Sequence, residues 1–288
     1  MMSVLTNKID FAVIFTVKNA NPNGDPLNGN RPRQNYEGFG EVSDVCLKRK
    51  IRNRLQAIGE NIFVQSDDNR TDEYRSLNDR YKAANISGDI RDGACKKWFD
   101  VRAFGQVFAF KAKGDKKKKS DETNDDGEDS SSVSIGIRGP VTIQSAFSIK
   151  PVDITSLQIV KSVNLETNNP PEKKGTDTMG MKHRVDGAVY VTYGSINPQL
   201  AEKTGFSDDD AKKIKGSLAT LFDNDETSAR PSGSMRVLKV IWWQHNSKCG
   251  QYSSAQVHSS LQLNLGKADG TYTLDSLEGL KPEEIDGK

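Results

Sequence analysis

Apolar and polar positions alternate most clearly near the N-terminus. Ile9, Phe11, Val13, Phe15 and Val17 fall at every second position, all β-branched or aromatic. The pattern predicts a strand, which Asn19-Ala-Asn-Pro-Asn-Gly-Asp-Pro26 ends with dense turn chemistry. A loop follows through Gly29, Pro32, Gly38 and Gly40. The period then changes. Leu47, Ile51, Leu55 and Ile58 mark one stripe of a helix that Ser43 or Asp44 can cap. Lys48, Arg49, Lys50, Arg52 and Arg54 occupy the rest of its circumference.

Further along, Trp98 to Phe108 is apolar but fits no clean period, so irregular packing is expected there. Val141 to Ile149, Ala188 to Tyr193 and Met235 to Gln244 read as strands. Ser207-Asp-Asp-Asp210 opens a second helix whose stripe is Ala211, Ile214, Leu218, Leu221 and Phe222. Its acids suit the positive end of the helix dipole. Lys111 to Ser132 carries six Lys and seven acids with almost no apolar residue, and is expected to be disordered. Residues 161–182, rich in Asn, Pro, Gly and Thr, read as a long loop. There is no internal repeat. The order β-α-(insert)-β-β-α-β predicts an α+β fold with a ferredoxin-like or RRM-like sheet and large insertions.

Composition narrows the class. The 288 residues suffice for one large or two small domains with a core that needs neither metal nor disulfide. No stretch approaches the ~20 apolar residues of a membrane helix, and the first ten residues lack a secretory pattern. Cys46, Cys95 and Cys249 form no CxxC pair, which argues against a zinc ribbon or a disulfide framework and for a reducing cytoplasm. The net charge is only +2, from 41 basic and 39 acidic residues. That balance hides segregation. Arg31 to Arg54 holds seven basic and three acidic residues. Thr227 to Ala268 holds five basic residues and no acid, and Ser130 to Val152 holds Arg138 and Lys150 and no acid. A fold that gathers these stretches would own a basic groove.

Candidate chemistry concentrates in residues 19–54. A Gly-rich turn leading into a helix N-terminus offers N–H groups to an anion, and Arg31, Arg33, Lys48, Arg49 and Arg52 add charge for phosphate. The plain alternative is a solvated basic helix face. GxxxxGK[ST] is absent. Asp25 is a candidate base or metal ligand, or simply a turn residue before Pro26. His245 and His258 have no partner at short spacing and read as ordinary polar residues. His183 lies in Met179-Gly-Met-Lys-His-Arg184, where the options are insertion against bases or plain packing. Gly136-Ile-Arg-Gly139 is a lone GxxG, more readily a turn than a backbone clamp. Trp242 and Trp243 point to opposite sheet faces, one ring for the core and one free for a partner.

Five blocks, in order, carry a pattern: Asn21-Pro-Asn-Gly-Asp-Pro26, Ser43 to Arg52, Phe99-Asp-Val-Arg-Ala-Phe-Gly105, Gly136-Ile-Arg-Gly-Pro-Val141 and Met179 to Gly187. Together they resemble the Cas-seven family of CRISPR backbone proteins in the RAMP superfamily, in particular its type I-C member. The resemblance implies an RRM-like palm (1–60, 133–160 and 183–268), an inserted finger region (61–132), a protruding thumb loop (161–182) and a C-terminal tail (269–288). It implies a non-catalytic subunit of Cascade, with no cofactor and no metal. Copies of such a subunit polymerise along a CRISPR RNA, kink it, and leave its bases open for target DNA in an R-loop. Other Cascade subunits and a separately recruited nuclease-helicase are the implied partners, in a prokaryotic cytoplasm and away from any membrane. Carried onto this sequence, the resemblance puts Asn21 and Asn23 near the RNA path and Ser43, Lys48, Arg49 and Arg52 on its phosphates; Arg31, Arg33 and Arg138 are further RNA-binding candidates from the charge pattern. The resemblance puts Met179, Met181, Lys182, His183 and Arg184 at the base of the thumb. The acidic–lysine run 111–132 has no counterpart in the pattern. Two other readings stand beside this one: a metal-dependent RNA endonuclease of the type III RAMP kind using Asp25, and a monomeric RNA-binding module.

Overall fold

A computed structural model describes residues 3–110, 133–161 and 179–288. The expected first strand is β1 (Ile9–Ala20), and it is the spine of the molecule. Its odd positions, Ile9 to Val17, face one core; Ala12 and Ile14 face a second. A short pair follows, β2 (Gly24–Asp25) with β3 (Arg31–Pro32), then the strand β4 (Phe39–Val42), and they lead into α1 (Asp44–Ala57). Ser43 caps α1 through its hydroxyl, as its residue type favours. Leu47, Ile51 and Leu55 are buried as the stripe requires, whereas Ile58 lies past the last turn and is half-exposed.

The segment after α1 builds a small core of its own. α2 (Leu77–Ala83), α3 (Ile90–Lys97), α4 (Phe99–Phe104) and the pair β5 (Gly105–Phe110) with β6 (Val133–Arg138) enclose Phe63, Trp98, Val101, Phe108 and Ile137. The aperiodic run 98–108 is thus a short helix followed directly by a strand. Of the GxxG pair only Gly139 is required by packing: a Cβ there would lie 2.3 Å from the Ala103 carbonyl oxygen, whereas one on Gly136 would meet nothing within 4 Å; Gly105, outside the motif, is as tightly placed, 2.2 Å from the Ile137 carbonyl oxygen. The run 111–132 lies outside the described residues.

The expected strand 141–149 is broken at Gln144, which gives β7 (Val141–Ile143) and β8 (Ala146–Pro151). Next come β9 (Ile154–Val160) and β10 (Met179–Ile196). Residues 179–182 of the expected loop are therefore strand, fixed by pairing to β9, and 162–178 lie outside the described residues. α5 (Pro198–Thr204) and α6 (Asp208–Ala219) precede β11 (Met235–Gln244). Ser207 and Asp210 form a capping box at α6. The C-terminal part supplies α7 (Ser254–Ser259), β12 (Leu261–Leu263), β13 (Tyr272–Leu274) and β14 (Glu283–Asp286).

One antiparallel sheet unites these elements in the order β14-β11-β1-β10-β8-β4. α1 and α6 pack on one face. α7, β12, β13 and Leu280 cover part of the other. Because both faces are covered, both tryptophans are core: Trp242 stacks on Phe11 with ring centroids 5.7 Å apart, and Trp243 is 1% exposed in the second cluster. Neither ring is free for a partner. Burying each such side chain is worth roughly 1.5–3 kcal/mol.

Candidate nucleic-acid interface

The loop after β1 is held by its asparagines. Asn21 is 4% exposed; its amide donates to the Asn30 carbonyl (2.7 Å) while its backbone N–H donates to Ala229 (2.9 Å). The Asn23 side-chain oxygen Oδ1 accepts from both the N–H and the hydroxyl of Ser43, each at 2.9 Å. Asn21, Asn23 and Ser43 therefore fix the loop to the start of α1. The Asp25 carboxylate accepts from the Leu27 N–H (3.2 Å) and from Arg33 (3.3 Å), capping the turn Pro26–Asn28. Among the described residues, no group of three or more His, Cys, Asp or Glu is placed to hold a metal ion.

Beyond the sheet, β9 and β10 continue as a two-stranded ribbon from Ile154/Val185 to Val160/Met179. On one face His183 sits opposite Ser156, and Met181 opposite Gln158. The Ser156 hydroxyl lies 2.8 Å from His183 Nδ1 and accepts from Arg31 Nη1 at 3.0 Å. Since Arg can only donate, Ser156 has its own proton free for His183 Nδ1. This contact ties the loop to the ribbon. On the other face, Arg184 pairs with Asp186 (3.3 Å), which also accepts from Thr155 (2.7 Å). Lys182 has no carboxylate partner among the described residues. Leu157, Ile159, Val160, Met179 and Met181 are all exposed. A cationic ribbon with bare apolar side chains suits a phosphate backbone whose bases are pushed apart.

The cations of α1 divide into two sets. Arg52 is 14% exposed, pairs with buried Asp100 at 3.0 Å and lies over the Phe104 ring; Asp100 also accepts from the N–H groups of Phe63 and Val64. Lys50 pairs with Asp225, and burial lowers its pKa although Asp225 opposes the shift. Arg54 pairs with Asp223 at 3.6 Å. These three join α1 to neighbouring segments, and Arg52, expected on phosphates, is committed to Asp100 and the Phe104 ring. Lys48 and Arg49 make surface pairs with Asp44 (3.0 Å) and Asp68 (3.2 Å) and remain accessible. Such pairs are worth at most about 1 kcal/mol and yield readily to a phosphate.

The remaining expected groups are scattered. Arg138 is exposed on β6, with no carboxylate partner among the described residues. His245 is buried; its Nε2 is 2.9 Å from Asp10, and its Nδ1 accepts from the Gln251 N–H, which fixes the proton on Nε2. His258 meets the Gly194 carbonyl at 3.2 Å, and burial lowers its pKa. Burial likewise raises the Cys46 thiol, and raises that of Cys95 to about 11. Sequence reading missed Ser156. The run Ile154-Thr-Ser-Leu-Gln-Ile-Val160 is strand-like in composition and would have placed it.

The family model described as CRISPR-associated protein Cas7 matches residues 7–281. A CRISPR-associated protein Cas7 of Haloferax volcanii is 25% identical over 289 residues, covering 97% of this chain and 80% of that protein. A chain of a solved CRISPR RNA-guided surveillance complex in a pre-nicking state has a TM-score of 0.43 at 13% identity, covering 82% of this chain and 78% of its own. A chain of another CRISPR RNA-guided surveillance complex has a TM-score of 0.40 at 17% identity, covering 82% and 68%. With one family model spanning the sheet, the loop and the ribbon alike, the chain belongs to the Cas7 family of CRISPR-associated proteins.

Proposed function

We propose that this chain is a backbone subunit of a CRISPR surveillance complex of the type I-C kind, holding the CRISPR RNA by its phosphates. The observation that carries the reading is the Ser156 contact, which joins Arg31 of the loop to His183 of the ribbon. It sets Arg31 on the ribbon face that carries His183 and exposed Met179 and Met181, while Lys182 and Arg184 lie on the other face. The strand order β11-β1-β10-β8, with α1 and α6 on one face, supports an RRM-like palm. The separate cluster around Phe63 and Trp98 supports a finger region, and the ribbon is the root of the thumb. In this reading several copies line one guide and the ribbon wedges its bases apart. The bases between wedges pair with target DNA, so sequence is read by pairing and not by protein. Other subunits and a nuclease-helicase join the assembly in the prokaryotic cytoplasm. The subunit itself does no chemistry: Asp25, the residue of the endonuclease alternative, is committed to a turn and to Arg33.

The test is purification of the full chain from cells carrying its CRISPR array, followed by sizing and RNA extraction. A repeat-derived RNA of defined length, in particles larger than one chain, is expected. A monomer free of RNA overturns the reading. Target RNA cut in the presence of Mg²⁺, and spared by Asp25→Asn, would establish the endonuclease instead.

A further inference from the structure

A second basic surface lies on the sheet face opposite α1 and α6. There the strands emerge from under α7 and the β12–β13 pair. Thr16 and Arg236 face each other across β1 and β11, on the same side as Ile14 of the second core. They and Lys18, Lys150 and Asp186 line a groove of about 580 Å³, within the range of ligand sites. Two of the acid-free stretches recognised in the sequence thus meet, 130–152 through Lys150 and 227–268 through Arg236.

Lys18, Lys150 and Arg236 are exposed, and none has a carboxylate partner among the described residues. Lys150 reaches only the Gly266 carbonyl, at 3.4 Å. The two acids of the groove are engaged locally: Asp186 by Thr155 and Arg184, and Asp269 by the Thr271 N–H. Lys267, next to the lining residue Ala268, is also exposed and unpaired among the described residues. Small residues on the lining, Gly187 and Gly233, leave room for a close approach, and a Cβ on either would meet nothing within 4 Å. Unpaired cations around a concave surface focus positive potential and favour a polyanion.

We propose that this groove binds the phosphodiester backbone of a single nucleic-acid strand, as a contact separate from the loop–ribbon interface. The proposal rests on the reading of the chain as a nucleic-acid-binding subunit. It assigns the phosphate contacts to Lys18, Lys150 and Arg236. No base is read, so affinity is uniform across sequences.

The test titrates labelled single-stranded RNA and single-stranded DNA of one mixed sequence against the full chain, over a range of salt. Wild type is compared with Lys18→Ala/Lys150→Ala/Arg236→Ala and with Lys18→Arg/Lys150→Arg/Arg236→Lys. Loss of three phosphate contacts lowers the log–log salt slope by about 2 and affinity by about tenfold or more at low salt. The charge-keeping variant retains binding. A loss confined to RNA assigns the groove to the guide, a loss confined to DNA assigns it to a deoxyribose strand, and both support the groove. If wild type binds and the alanine variant matches it in affinity and slope, the groove is overturned while the wider reading stands. If wild type binds neither strand, both fall.

Discussion

The inner side of α1 and the β9–β10 ribbon carry the same residue types to opposite ends. Lys50, Arg52 and Arg54 each face a carboxylate, are 4%, 14% and 14% exposed, and fasten the helix to its neighbours. Arg31 and Lys182, at the ribbon, have no carboxylate partner among the described residues, and Arg184 shares Asp186 at the surface. Charge density along a sequence therefore does not show which cations are free for a phosphate. The position of the compensating acid does. A cation already paired and desolvated gains little from a phosphate, whereas an exposed one gains the release of counterions.

The comparison is broken most forcefully at Asp100. Asp100→Ala leaves Arg52 buried without its partner and strands the Phe63 and Val64 N–H groups. A loss of about 3–5 kcal/mol is expected from urea denaturation. At the ribbon the expectation inverts. Arg31→Ala/Lys182→Ala/Arg184→Ala changes stability by no more than about 0.5 kcal/mol per site. The same variant lowers RNA affinity by about tenfold or more, with a salt slope smaller by about 2, measured by fluorescence anisotropy.

His258, part-buried with Nε2 3.7 Å from the Asp10 carboxylate, gives a third case in which desolvation outweighs the nearby acid. Desolvation lowers the His258 pKa below its ordinary 6.5. The unfolded chain then binds the proton first, so this contribution is fully present above about 6.5 and is lost as pH falls toward the folded value. Melting temperatures measured down through that window should fall, and His258→Gln should flatten the fall. The smallest effect is expected at Arg49. Its pair with Asp68 is exposed, at 57% and 77%. Asp68→Asn frees the guanidinium, so RNA affinity rises by less than about threefold while stability moves by less than about 1 kcal/mol.

The sequence was most legible where one physical signal dominated. Period two found β1, and the Ser43 cap with its stripe found α1 to within a residue; the Ser207 cap found the start of α6, which ends at Ala219, three residues before the expected stripe does. Met235 and Gln244 bound β11 as expected. The ribbon was harder. Residues 179–182 are polar and Gly-containing, and only pairing to β9 makes them strand. The site was half legible for the same reason. Composition located the cations, but the carboxylates of Asp100, Asp223 and Asp225 are 48, 169 and 175 residues from their partners. No local pattern reveals pairing over such separations, so Arg52 looked as available as Arg49.

The most direct test of the central claim compares salt slopes for RNA binding between two charge-removing variants. One is Arg31→Ala/Lys182→Ala/Arg184→Ala at the ribbon. The other is Lys50→Met/Arg54→Met at the inner side of α1, measured at a temperature where its melting curve shows it folded. The slope should fall by about 2 for the ribbon variant and stay at the wild-type value for the α1 variant. An equal fall in both, or a fall in the α1 variant alone, would contradict the claim that pairing sorts these cations.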